Sequence, residues 1–144
     1  MQEISTMVEK SKRRFLCIKF KGCGLSFSEG ITLLVIGHKD YSNQDSISGL
    51  SGIDKYQIAK VLASLERRKL IRREINSDNK REKLVCLSEE GHGLVRELKD
   101  IIEQWDEIIF TGITEEEERV MGQIMNKIME NVLEYERKLG REKL

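Results

Sequence analysis

Proline is missing from all 144 residues. No pyrrolidine ring therefore removes a backbone donor from a helix interior, and long uninterrupted helices are open to this chain. Cysteine is scarce, with Cys17, Cys23 and Cys86 making an odd number and no C-x-x-C spacing. That pattern speaks against a disulfide scaffold. His38 and His92 are the only imidazoles, so a structural zinc site is not expected either. The longest uncharged apolar run, Ile31 to Gly37, is far too short to span a bilayer. The first residues, MQEISTMVEKSKRRF, lack the apolar block and small-residue cleavage site of a signal peptide, which makes the cytosol the expected location. No nucleophile motif, phosphate loop or metal-ligand spacing occurs, so neither an enzyme nor a cofactor is expected. Net charge is absent as well, with 25 basic residues matching 25 acidic ones.

What is present is a chain with 39% apolar and 35% charged residues, enough for one core under a well-solvated surface. Its length fits a single domain, read here as residues 1–144. The neutral total hides a polarity. Between Asp54 and Lys83 ten basic residues face five acids, a balance of +5 that leaves −5 for the remainder. Such a charge dipole orients a protein on a phosphate backbone.

The stretch from Gly52 to Leu87 organises the rest. Ile58, Val61, Leu62 and Leu65 recur at helical spacing and form one apolar stripe. The opposite face carries Tyr56, Lys60, Ala63 and Arg67, flanked by Gln57, Ala59 and Ser64. Short β-type runs, Lys69 to Arg73 and Lys83 to Leu87, then surround the turn-rich tip Asn76-Ser77-Asp78-Asn79-Lys80-Arg81. A basic helix followed by a basic-tipped hairpin is the layout of a winged helix-turn-helix.

The remaining elements read as helices. Residues 3–21 carry Ile4, Met7, Val8, Phe15 and Ile18 as apolar positions, and Gly22 and Gly24 end the helix. Ser26 and Glu29 fit a capping box that opens a helix to about His38. A second box, Ser42 to Asp45, opens a short helix to about Leu50, and Gly52 suits a positive-φ turn. Ser88-Glu89-Glu90 caps a long helix with Leu94, Val95, Leu98, Ile101, Ile102, Trp105, Ile108 and Ile109 as its stripe. Thr114 with four following glutamates starts the last helix, striped by Val120, Met121, Ile124, Met125, Ile128, Met129, Val132 and Leu133. These two helices carry more apolar surface than a small reading head needs, which points to dimerisation. The fold class expected is therefore mostly α (α+β): a winged helix-turn-helix over about 26–88 with a two-stranded wing, and dimerisation helices over about 3–22 and 89–139.

Nearly the whole chain, in element order, resembles the MarR family of transcriptional regulators, and the resemblance is specific between Ile47 and Gly91. Ile47 to Ile53, ISGLSGI, is similar to that family's short helix and turn. Leu65 to Arg73, LERRKLIRR, is similar to its leucine, acid, two basics, glycine, leucine signature. Asn79-Lys80-Arg81 and then Leu84 to Gly91, LVCLSEEG, are similar to its wing and strand closure. Lys69 departs from the pattern at its glycine, and Asn79 stands where the family has an aspartate that pairs with wing arginines, a role Asp78 is placed to take. The resemblance implies a homodimer that binds a pseudo-palindromic operator on double-stranded DNA, with repression relieved by a small aromatic or acidic effector or by thiol oxidation.

The DNA-binding candidates are Lys55, Tyr56, Gln57, Lys60, Ser64, Arg67, Arg73, Lys80, Arg81 and Lys83. Gln57 and Lys60 are assigned to base edges, Lys55, Tyr56 and Arg67 to phosphates, and a wing arginine to the minor groove. Phe15, Phe27 and Trp105, with Phe110, are the candidate effector lining, against the plainer reading as core. Cys17 and Cys23 are the redox candidates, and Cys86 is assigned to the sheet. Two alternatives stand beside the regulator: a winged-helix module that binds a protein partner without DNA, and a thiol-based redox sensor.

Overall fold

The computed structural model describes residues 1–142. Six helices and two strands follow in the order α1 (Gln2–Gly22), α2 (Phe27–His38), α3 (Gln44–Ser51), α4 (Lys55–Arg67), β1 (Ile71–Ile75), β2 (Lys83–Leu87), α5 (Glu89–Ile109) and α6 (Glu115–Glu142). The chain divides into two compact units, Met1–Trp105 and the segment from Asp106 onward.

In the first unit, local chemistry sets each helix start. Ser26 and Glu29 form the expected capping box of α2, each accepting from the other's backbone N–H at 3.1 Å. The second box is a correction: α3 is capped by Asn43, whose Oδ1 accepts from Ser46 N at 2.7 Å. Ser42 is instead buried and pairs with Val85 through both backbone groups, adding a rung beside β2. Gly52 ends α3 at φ 71°, and Asp54 caps α4 by accepting from Gln57 N at 2.9 Å. The first strand begins at Ile71, two residues later than its apolar run implied, because Lys69 and Leu70 close α4. Leu70 N donates to Leu65 O and Lys69 N to Glu66 O, a Schellman ending with Lys69 at φ 59° in the position glycine prefers.

The two strands pair antiparallel from Ile71 opposite Leu87 to Ile75 opposite Lys83. One core joins Leu16 and Phe20 of α1, Leu33 and Ile36 of α2, Ile47 of α3, the α4 stripe, and Val95 and Leu98 of α5. Ser88 locks strand to helix, donating to Lys69 O at 2.7 Å and accepting from Gly91 N at 3.0 Å. Gly91 is required there, since a Cβ would meet Leu70 O at 2.1 Å.

The apolar positions of α1 divide between surface and core. Ile4, Met7, Val8 and Ile18 are exposed, while Leu16 and Phe20 are the residues that enter the core. The early part of α5 packs as its stripe implied, but Ile108 and Ile109 are exposed.

In the second unit, Gly112 turns the chain at φ 78°. Thr114 and Glu117 then cap α6 reciprocally, with Thr114 N donating to Glu117 Oε2 at 2.8 Å. The α6 stripe, assigned to dimerisation, is solvent-exposed in the single chain from Val120 to Leu133.

Candidate nucleic-acid interface

The exposed side of α4 and the hairpin tip both present basic residues to solvent, as does α1 through Lys10, Arg13, Arg14 and Lys19. The α4 stripe of Ile58, Val61, Leu62 and Leu65 is buried, which turns Lys55, Tyr56, Gln57, Lys60 and Arg67 outward. Tyr56 is 75% exposed, and Lys60 Nζ sits 4.5 Å from its ring centroid. That cation–π contact preorganises a lysine and an aromatic edge on one helical turn.

Several assigned residues already have partners. Lys55 pairs with Asp45 of α3 at 3.3 Å, with both side chains 74% exposed. A pair so open to water is worth little, and a phosphate can replace the carboxylate. Arg73 is half-buried and held by Glu66 at 3.0 Å. Among the described residues Lys60, Arg67, Lys80, Arg81 and Lys83 form no ion pair, leaving their charge available to an anion.

Ser64 is half-buried and engaged by α2. Its Oγ donates to Glu29 Oε2 at 3.2 Å, and Arg68 donates to the same oxygen at 3.0 Å, so the two tie α4 to α2. Burial raises the affinity of Glu29 for a proton. The bonds from Ser26 and the Arg68 guanidinium outweigh it and hold the carboxyl below the usual carboxylate range. Residue identity alone hid this tie, because Glu29 and Arg68 lie 39 positions apart.

The wing tip differs from the resemblance as well. Asn79 accepts from Arg81 N at 3.2 Å, which bends the tip, and Asp78 N donates to Asn76 Oδ1 at 3.0 Å. Among the described residues Asp78 pairs with no arginine, so it does not replace the family's aspartate. Glu82 performs the bracing, accepting from Asn76 Nδ2 at 2.8 Å and from Asn43 Nδ2 of the α3 cap. Glu82 is one of three acids in the wing, with Glu74 and Asp78, so residue type alone did not single it out.

The aromatic candidates do not meet in one cavity. Phe15 packs on Trp105 with ring centroids 5.5 Å apart, and Trp105 is buried. Phe27 stacks on Phe20 at 6.3 Å, with the Arg13 guanidinium 4.3 Å from its ring. Phe27 lines an open groove of about 410 Å³ with Glu9, Lys10, Lys12, Arg13, Leu16 and Ile31. Phe110 belongs to the second compact unit.

Of the thiols, Cys23 and Cys86 are shifted away from the thiolate form. Cys17 and Cys23 are half-buried and Cys86 is buried. Burial, then Glu97, pushes the Cys23 thiol up; burial likewise raises Cys86, although Arg72 pulls it down. A sensing thiolate needs the opposite shift.

A helix-turn-helix of α3 and α4, followed by a two-stranded wing, defines a winged helix. Solved structures narrow that class. A MarR-family regulator from Listeria monocytogenes, solved with a 26mer DNA, is similar over 92% of this chain and 88% of its own at 23% identity and a TM-score of 0.82. A structure of MarR is similar over 96% of this chain and 94% of its own at 21% identity and a TM-score of 0.81. Bordetella bronchiseptica BpsR, whose DNA binding is regulated by 6-hydroxynicotinic acid, is similar over 90% of this chain and 92% of its own at 18% identity and a TM-score of 0.73. No family model matches the sequence. At these identities the likeness is one of fold, and the chain has the MarR winged-helix fold.

Proposed function

We propose that this chain is a MarR-like transcriptional regulator that reads double-stranded DNA as a homodimer, working as one domain with its chain-end helices joining two copies. One observation carries the reading: the exposed α4 face and the wing hold Lys60, Arg67, Lys80, Arg81 and Lys83 without ion pairs among the described residues. The fold's likeness to a regulator solved with DNA supports placing α4 in the major groove. Gln57 and Lys60 then reach base edges, Lys55, Tyr56 and Arg67 meet phosphates, and Arg81 enters the minor groove. Arg73 keeps Glu66 as its partner and supports the wing strand.

Dimerisation is supported by the exposed α6 stripe and by exposed Ile4, Met7 and Val8 on α1. On each helix, exposed apolar side chains at helical spacing are costly in water and favour a partner. Two copies related by a twofold axis place their α4 helices one DNA turn apart, roughly 34 Å. Repression follows if the operator overlaps a promoter. An aromatic acid in the groove beside Phe27, Arg13 and Lys12 is the release signal best matched to the chemistry there.

Fluorescence-anisotropy titration against the gene's own upstream DNA at two salt concentrations tests the reading. Sequence-dependent binding that weakens with salt is expected. Arg81→Ala weakens it several-fold and lowers the salt slope by about two, one phosphate-equivalent per subunit. A protein-partner scaffold gives no salt-sensitive shift on any duplex, and that result overturns the reading.

A further inference from the structure

We propose that Glu82 is the positioning residue of the wing. Its carboxylate ties the hairpin to the N-terminal end of α3 and so fixes how Arg81 and Lys83 are presented to DNA, an inference that rests on the DNA-reading proposal above.

A carboxylate at this place needs a reason. Glu82 lines a concavity of about 330 Å³ together with Asn43, Gln44, Asp45, Arg73, Arg81 and Lys83. A negative charge among those cations opposes the approach of a phosphate. It is also not spent on neutralising them, since among the described residues Glu82 makes no ion pair. Both oxygens go to amides instead. Oε2 accepts from Asn76 Nδ2 at 2.8 Å, at the start of the tip, and Oε1 accepts from Asn43 Nδ2.

Asn43 makes the tie rigid. Its Oδ1 accepts from Ser46 N at 2.7 Å, so one amide group caps α3 and grips the wing at once. The backbone closes the same loop, with Asn76 N donating to Glu82 O at 3.0 Å and Glu82 N to Asn79 O at 2.9 Å. Residues 77–81 are all exposed, so packing does little to hold the tip, and a charge-assisted clamp is what orients it. The reading helix and the wing thereby share one frame, since Ile47 of α3 is buried in the same core as the α4 stripe.

Charge and position make opposite predictions for substitution. Glu82→Ala removes a negative charge from the basic face, so an electrostatic role alone tightens DNA binding. Positioning requires the reverse: affinity for a duplex selected by the wild-type protein from a random pool falls about fivefold. Asn43→Ser keeps a hydroxyl to cap α3 but has no amide for Glu82, and it changes no charge. It is expected to weaken binding about as much, and the double variant to be no weaker than either single. Amide hydrogen exchange on the free proteins supplies a readout independent of DNA: the 76–82 tip exchanges faster in both variants while α4 is unchanged.

Tighter binding by Glu82→Ala, or additive losses in the double variant, overturns the proposal. So does unaltered tip exchange. If the tip loosens while affinity and the wing's hydroxyl-radical footprint stay at wild-type values, the clamp exists but does not position the wing, and the proposal is again overturned. If the wild-type protein selects no duplex, the DNA reading itself fails and takes this role with it, whereas exchange still reports the clamp.

Discussion

Helices α4 and α6 carry the same kind of apolar stripe and meet opposite fates. In α4, Ile58, Leu62 and Leu65 are fully buried and Val61 is 8% exposed. In α6 every stripe residue from Val120 to Leu133 is between 40% and 56% exposed. Periodicity says that a helix has an apolar side, and it is silent on what covers that side. The neighbours decide. Helix α4 is bracketed by a turn at Gly52 and a Schellman ending at Lys69, which fold α2, α3 and β1 back onto it. Helix α6 is long and proline-free, and its stripe is left for a second copy of the chain in the account proposed here.

The contrast can be broken most severely at Leu62. Its truncation to alanine leaves a cavity in a sealed core and should cost about 3 kcal/mol of unfolding free energy. Urea denaturation is expected to show that loss with the oligomeric state unchanged. Ile128→Lys attacks the other stripe. It should leave the fold of the first unit intact while raising the dimer dissociation constant on the order of 100-fold, because a charge is forced into an apolar contact. Light scattering across a dilution series reads that change, and an unaltered dissociation constant counts against α6 as the dimer surface.

Glu29 sharpens the comparison by pH. Its carboxyl is held below the ordinary range in the folded chain, so it stabilises fully above the unfolded value, and that contribution is lost as pH falls through the folded one. Thermal melts of Glu29→Gln against wild type should differ clearly near neutral pH and converge in acid. A gap that persists in acid assigns the effect to packing instead. The smallest effect belongs to Lys69, at φ 59°. Lys69→Gly relieves a left-handed strain but loosens the unfolded chain, so a gain of no more than about 1 kcal/mol is expected in Tm-derived stability. A loss there shows that the lysine side chain contributes contacts outweighing the strain.

Much of the fold was legible in the sequence, and for identifiable reasons. The Ser26–Glu29 box, Gly52, the α4 stripe and the run from Lys83 to Leu87 are local signals, and each lies where its chemistry implied. The odd backbone at Lys69 was legible too, as a residue standing where a turn prefers glycine. The misses are non-local. Ser42 looked like a cap because the box pattern fits it, yet its backbone is claimed by Val85, 43 residues away in the chain. Ser64 looked like a reading residue because its helical angle borders the polar face, but Glu29 from α2 captures its hydroxyl. Glu82 was passed over because an acid in a basic wing reads as background until Asn43 and Asn76 are seen on either side of it. The aromatic residues shared a character without sharing a site. Phe15 and Trp105 fill each other's space, while Phe27 faces a groove.

The central claim is that one apolar stripe closes a reading head while the other waits for a second copy, so that heads come in pairs. Sedimentation velocity of the protein on a duplex of its own upstream DNA tests it most directly. The account predicts a dimer in the free protein and two chains per duplex, with Ile128→Lys sedimenting as a monomer that binds far more weakly. A wild-type monomer that saturates the duplex at one chain with undiminished affinity contradicts it.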